Sequence, residues 1–254
     1  MSYRYCRLCV IVPVALLLSA LTVLVPPARA DMSPKEILAK ADEARGNAEG
    51  MEWEIDITSL EGGREQERLI KVTARTFNSL AEFLGPANVK GQKVLMLDRN
   101  MWFIKPGVSK AIPISPRQKL IGLAANGDIA STNYAGDYNV AHTAEDVFNG
   151  EPCYLFDLEA VDKKATYDRI KYWISKSRLA GVKAEFYTVS GKMFKTATFE
   201  YGHRVNIDGS PRPFISKMVI VSAVMKEDVT TMRYRKMAFK RVPDSTFNLN
   251  LLVK

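Results

Sequence analysis

Side chains suited to chemistry are few in these 254 residues, and they are scattered. Two histidines, His142 and His203, lie in different segments, with no Asp, Glu or Cys beside them at ligand spacing. A metal centre needs three or four such ligands, so no metal is expected. A nucleophilic serine would call for Gly-x-Ser-x-Gly, which does not occur, and Ser190-Gly191 and Ser210-Pro211 have the composition of turns. No glycine-rich loop leads into a helix to cradle phosphate. Glu52, Glu54 and Asp56 alternate with Trp53, Ile55 and Ile57, which is the solvated face of a strand rather than an acid–base pair. Cys153 reads as a small core residue. The pattern holds no catalytic constellation and asks for no cofactor, so a non-enzymatic protein is expected.

The N-terminus sets the compartment. Arg4 and Arg7 precede an apolar run from Cys9 to Val25, broken by Pro13, Ser19 and Thr22. Ala28-Arg29-Ala30 then places small residues where a signal peptidase reads, with Asp31 as the new N-terminus. The run is short for a membrane span and contains a proline, so residues 1–30 read as a cleavable secretory signal rather than an anchor. Cys9 lacks a preceding lipobox. Cleavage leaves about 224 residues (31–254) as one exported domain, with Cys153 as the only cysteine and no internal disulfide. The formal charge of +8 falls to about +5 as Arg4, Arg7 and Arg29 leave. That excess is spread along the chain. It suits transient contact with an anionic membrane surface, not nucleic acid, which needs a clustered basic face.

The elements that would position any site change period near residue 50. Ser33-Pro34-Lys35-Glu36 has a cap, a proline at the first helical position and a glutamate three residues after the cap. A helix over 34–45 follows, with Ile37, Leu38, Ala41 and Ala44 as its apolar stripe and Gly46 at its end. From Met51 onward, short β-branched and aromatic runs alternate with turns such as Gly62-Gly63, Asp98-Arg99-Asn100, Pro106-Gly107, Asn149-Gly150 and Ser190-Gly191. About eleven strands in antiparallel succession are predicted, and twist curls such a sheet into a barrel or half-barrel. The fold class expected is mainly β, one strongly curved antiparallel sheet with short helices over its concave mouth. Residues 115–137 break the strand pattern. Ser115 to Ala124 reads as a short helix, and its surroundings read as an ordered lid, with Arg117, Leu120, Ile121, Leu123 and Ile129 as lid residues.

Two short helices cannot cover the concave face of eleven strands. The shortfall points to an apolar cavity for a hydrophobic ligand. Its candidate lining is Trp53, Ile55, Ile57, Leu95, Leu97, Trp102, Ile104, Tyr154, Phe156 and Leu158. The same residues would equally fill a core and leave no pocket. Arg117 and Lys119 are placed to meet a phosphate headgroup or an acidic partner, or simply to face solvent.

From about Ser33 to Val253 the chain resembles the periplasmic outer-membrane lipoprotein-sorting proteins, the LolA-like family. The stretches that carry the resemblance are Lys93-Val94-Leu95-Met96-Leu97 with Asp98 to Trp102, Ile114 to Leu120, Asn126-Gly127-Asp128-Ile129-Ala130, Arg169 to Ile174 and Lys183 to Tyr187. The resemblance implies an unclosed, strongly curved sheet with helices plugging its mouth. It implies carriage of lipids, or of the acyl chains of lipoproteins, across an aqueous compartment. It also implies an inner-membrane partner, in this branch an exporter of the resistance-nodulation-division type. The family's cavity arginine aligns with no single residue here. The alternative from another class is a lipoprotein or lipid sensor that signals to a membrane partner.

Overall fold

The computed structural model describes residue 1 and residues 32–253, save residues 131 and 208. The secretory-signal reading of residues 1–30, with Asp31 as the new N-terminus, lies outside the described residues. No helix among the described residues is long and apolar enough to cross a membrane.

Helix α1 (Pro34–Glu43) starts where the capping signal placed it. The Ser33 and Glu36 side chains each accept the other's backbone N–H, at 3.3 and 2.7 Å. The helix stops two residues before the expected end, and Ala44 caps it. The chain then runs through β1 (Met51–Glu61), β2 (Arg64–Arg75), β3 (Asn78–Gly85), β4 (Lys93–Leu97), β5 (Asn100–Ile104) and β6 (Ile112–Ile114). A strap follows, made of β7 (Lys119–Ile121), β8 (Ala124–Ala125), a 3-10 turn (Asn126–Asp128) and the single helical turn α2 (Tyr134–Asp137). Next come β9 (Tyr138–Phe148), β10 (Glu151–Ala160), β11 (Arg169–Ser175), β12 (Gly181–Tyr187) and β13 (Met193–Glu200). The hairpin β14 (His203–Ile207) and β15 (Ser210–Phe214) leads to β16 (Lys217–Ser222), β17 (Val229–Phe239), a second 3-10 turn (Asp244–Phe247) and α3 (Leu249–Leu252).

Thirteen strands form one curved antiparallel sheet in the order β6-β5-β4-β3-β2-β1-β17-β16-β13-β12-β11-β10-β9. The terminal strands β6 and β9 each pair on one side only, so the sheet is not closed. That is two more than the eleven or so expected. The strands that escape the sequence pattern, β7, β8 and the hairpin β14–β15, are too short to show a period and lie outside this sheet. The strong alternation of β1 is borne out. Trp53, Ile55 and Ile57 face inward, while Glu52, Glu54 and Asp56 meet Lys71, Lys240, Arg235 and Lys236 on the outside.

The short helix expected at 116–124 is instead the hairpin β7–β8. Gly122 adopts φ +53°, and a Cβ there would lie 1.7 Å from Ser59 Oγ and 2.5 Å from Thr230 Oγ1. A left-handed glycine mid-segment disfavours a helix so short that nucleation is not recovered. The turn also lets the Leu123 N–H reach Thr230 Oγ1 at 2.9 Å, a bond no isolated helix would offer.

Two faces of the sheet are apolar at its β4–β5 flank. The outer face there carries Leu95 and Ile104, covered by Val242 and Phe247 of the C-terminal segment. This cluster pins the chain end to the sheet, and Arg75 stands 5.6 Å from the Phe247 ring. Phe247→Ala should therefore cost about 3–5 kcal/mol, the usual range for a buried Phe. Urea titration should show a lower midpoint with an unchanged slope.

Candidate functional site

The inner face holds one continuous apolar cluster. Trp53, Ile55, Ile57, Phe156 and Leu158 are at most 1% exposed within it, and Tyr154 packs half-buried at its margin. Four pieces cover them: α1 through Ile37, Leu38 and Ala41, the strap through Ile121 and Ile129, α2 through Tyr134, and the β14–β15 hairpin through Val205 and Phe214. Phe214 meets Trp53 edge-on at 5.8 Å. The same indole closes on Gly46, where a Cβ would lie 2.6 Å from a ring carbon. The expected shortfall of cover is thus made good chiefly by the β14–β15 hairpin, which shows in sequence only as a turn. The space left beneath α2 is about 30 Å³, bounded by Arg45, Asp128, Tyr134, Tyr138 and Tyr167 among others. That holds one or two waters. Sites that enclose a small organic ligand run to about 300–1,000 Å³.

Leu95, Leu97, Trp102 and Ile104 do not join this face. They lie on the outside, against Val242, Phe247, Leu249 and Leu252. The inward residues of β4 and β5 are Val94, Met96, Met101 and Phe103. The phase was illegible because β4 and β5 are covered on both sides, and such strands read as unbroken apolar runs. Cys153 is buried on the outer face, with Trp173 and Val182.

Polar contacts, not apolar packing alone, hold the strap down. Asp128, at its turn, accepts the Ala125 N–H at 2.8 Å and the Tyr167 hydroxyl at 2.6 Å. Lys195 Nζ of β13 stands 3.4 Å from the same carboxylate and donates to the Leu123 carbonyl at 2.6 Å. Both charged side chains are under 5% exposed. Burial pushes the Lys195 ammonium below its ordinary range and the Tyr167 phenol well above its own. Further out, Arg117 pairs with Asp168 and donates to the Ala165 carbonyl at 2.8 Å, and Lys119 pairs with Glu61. These outer pairs are at least partly open to solvent and are worth less than a buried one. The buried group is different. Removing one partner of a buried pair costs about 3–5 kcal/mol, whereas replacing both with apolar groups is close to neutral.

A second polar cluster lies beneath α2. Arg45, buried just past the end of α1, stands 4.6 Å from the Phe199 ring and 5.3 Å from the Tyr134 ring. Among the described residues its Nη1 has no hydrogen-bond partner, and neither do the Tyr172 and Tyr201 hydroxyls or Asp42 Oδ1. The other Asp42 oxygen accepts the Ala135 N–H at 2.9 Å and so ties α1 to α2. Burial pushes the Asp42 carboxyl up to about 8. Unpaired buried polar atoms cost about 1–3 kcal/mol each, so this region opposes the closed arrangement it sits in.

Arg45, Asp128, Tyr167 and Lys195 escaped the sequence reading, although two carried a signal. Lys195 shares the inward phase of β13 with Ala197 and Phe199, and Arg45 continues the α1 stripe of Leu38 and Ala41. A charge on an apolar phase marks a function or a partner. Of the lid residues named from sequence, Ile121 and Ile129 are buried beneath the strap, Leu120 and Leu123 are half-buried at its margins, and Arg117 anchors it from outside.

An unclosed, strongly curved sheet with an apolar interior and a polar-latched strap across its mouth defines a half-barrel. A LolA superfamily protein from Nitrosomonas europaea superimposes with a TM-score of 0.77 at 31% identity, over 87% of this chain and 100% of its own. A putative outer membrane lipoprotein-sorting protein domain from Vibrio parahaemolyticus gives 0.74 at 19% identity, over 87% and 98%. A DUF1329 family protein from Desulfovibrio piger gives 0.71 at 20%, over 86% and 97%. A family described only as an uncharacterized protein matches residues 76–254. No curated protein matches the sequence. The chain belongs to the LolA superfamily.

Lys195→Met should leave Asp128 short of a cation and free the strap. Amide exchange over residues 119–130 should quicken at least tenfold relative to β1, and the double variant Lys195→Met/Asp128→Leu should recover most of the protection. Asp42 gives a pH signature. In the fold it keeps a proton that the unfolded chain loses near pH 4, so its contribution is full below that and is lost as pH rises through about 8. Thermal midpoints of wild type minus Asp42→Asn should therefore fall steadily from pH 5 to pH 8. A flat difference would mean that Asp42 is ionised in the fold.

Proposed function

We propose that this protein is an exported, non-enzymatic carrier that takes lipid, or the acyl chains of lipoproteins, against the inner face of its half-barrel. In this reading residues 1–30 direct export and are removed, and residues 31–254 work in the periplasm between the two membranes. The observation that carries the reading is the strap. It lies over a largely apolar face, yet buried polar contacts hold it there, and these water can replace when it lifts.

The energetics favour this use. An acyl chain gains about 0.8 kcal/mol per methylene on leaving water, so fifteen methylenes gain about 12 kcal/mol. Lifting the strap costs a few kcal/mol, part of it offset by the orphan polar atoms beneath α2. A ligand moves such an equilibrium only through its differential affinity for the open state, and an apolar chain has that. Transfer between similar apolar environments is close to neutral, so direction must come from donor and acceptor. A membrane exporter of the resistance-nodulation-division type fits the donor's role, with this protein as its periplasmic accessory.

The test is native mass spectrometry with lipid extraction of protein purified from its own periplasm without detergent, alongside titration with an environment-sensitive hydrophobic fluorophore. Co-purified lipid or saturable uptake is expected. Phe156→Asp should abolish uptake, with circular dichroism to check folding, while Trp102→Ala should leave it unchanged because Trp102 faces outward. An apo mass together with non-saturable fluorescence would mean a permanently filled core and end the carrier reading.

A further inference from the structure

The strap leaves part of the inner face uncovered. Beside it, across β2 to β6, runs a groove of about 420 Å³. Its floor takes one apolar side chain from each of four successive strands, Phe83, Val94, Phe103 and Ile114, and Leu120 of the strap forms its wall. Phe83 is paired with Ile70 across β2–β3, and Val94 with Phe103 across β4–β5, so the row crosses the strands rather than following one. Five strands span about 19 Å at roughly 4.8 Å per step. This is the length class of a long acyl chain, and the volume is more than ten times that of the closed space beneath α2.

The groove is not uniformly apolar. Arg68 stands at its β2 end, in the inward phase with Ile70 and Val72, directly across from Ile57. Its guanidinium donates to the Glu67 carbonyl at 2.7 Å and makes no ion pair among the described residues. Lys119 lines the rim beside it but is already paired with Glu61. Gln92, Gln118 and Asn126 add neutral polar groups to its lining, and among the described residues no carboxylate lines it. An inward arginine without an acidic partner, at the end of an apolar trough, complements a tail that carries an anionic head.

We propose that this groove is a preformed subsite for one acyl chain of an anionic lipid, with Arg68 receiving the carboxylate or phosphate of its head. The proposal rests on the carrier reading and adds a location and a charge class to it. Loading then has an order. The first chain lies beside the closed strap and packs against Leu120, and only then does the strap lift to admit more chain beneath it.

The test compares ligands that differ only in the head. Isothermal titration of the mature protein with decanoate and with decanol should show decanoate bound about fivefold or more tightly. Arg68→Gln should erase that preference while leaving decanol binding unchanged. Ile114→Trp, which fills the trough at an edge strand, should weaken both ligands about tenfold, with Leu120→Trp as a second filling variant should the first fail to fold. Inorganic phosphate at equal concentration should not displace decanoate, and displacement would make this a free-anion site instead. Binding that survives the filling variants, or a preference that survives Arg68→Gln, overturns the groove assignment alone. Absence of binding to either ligand in the wild type overturns this proposal, and clean apo protein from the periplasm would then overturn the carrier reading as well.

Discussion

A carboxylate buried under a strap is unstable unless something meets it, and the closed form of this molecule depends on what meets Asp128. The Lys195 ammonium, the Tyr167 hydroxyl and the Ala125 N–H converge there from β13, from the β10–β11 connection and from the strap itself. Each comes from a different part of the chain, so the group can form only when the sheet is curved and the strap is down. The backbone of the strap is satisfied in the same way. The Leu123 N–H goes to Thr230 and its carbonyl to Lys195, both side chains of the sheet rather than rungs of a ladder. A strap bonded by side chains lifts as a unit and leaves every ladder of the sheet intact.

Much of the architecture was readable from residue order alone. β1 alternates cleanly because one face meets a core and the other meets water, and the Ser33–Glu36 cap is a purely local device. The flank at β4–β5 was unreadable for the complementary reason. Leu95 and Val94 are both buried, on opposite sides, so no alternation survives to set the phase. The strap was misread as a helix because its shape is dictated by Ser59 and Thr230, 63 and 108 residues away from Gly122 in sequence. Within the site, Trp53, Ile55, Ile57, Phe156 and Leu158 were legible from their phase. The latch was not, since Asp128 in an Asn-Gly-Asp turn looks like any solvated turn residue until the fold brings Lys195 over it.

The region beneath α2 acts against the latch. Arg45, Asp42, Tyr172 and Tyr201 bring polar atoms into the packed interior and leave several unpaired among the described residues. The Arg45 guanidinium's contacts with the Tyr134 and Phe199 rings soften its share of the cost, worth about 2 kcal/mol when desolvated. The closed state is therefore a balance between one well-satisfied polar group and one poorly satisfied one. Such a balance keeps the interior shut when empty without making it permanently so.

The middle of the sheet has a consequence for the order in which this chain becomes a protein. β1 is flanked by β2, its hairpin neighbour, and by β17, whose residues 229–239 come near the end of the sequence. The seam between them joins the two wings of the half-barrel. Until the last long strand has emerged, β1 presents a row of unpaired amides and the wings have no common inner face to bury. Contacts this distant in sequence close slowly. Each wing can pair through its own hairpins, but the inner face they share is completed only when β17 docks on β1, which makes that seam the late step of folding.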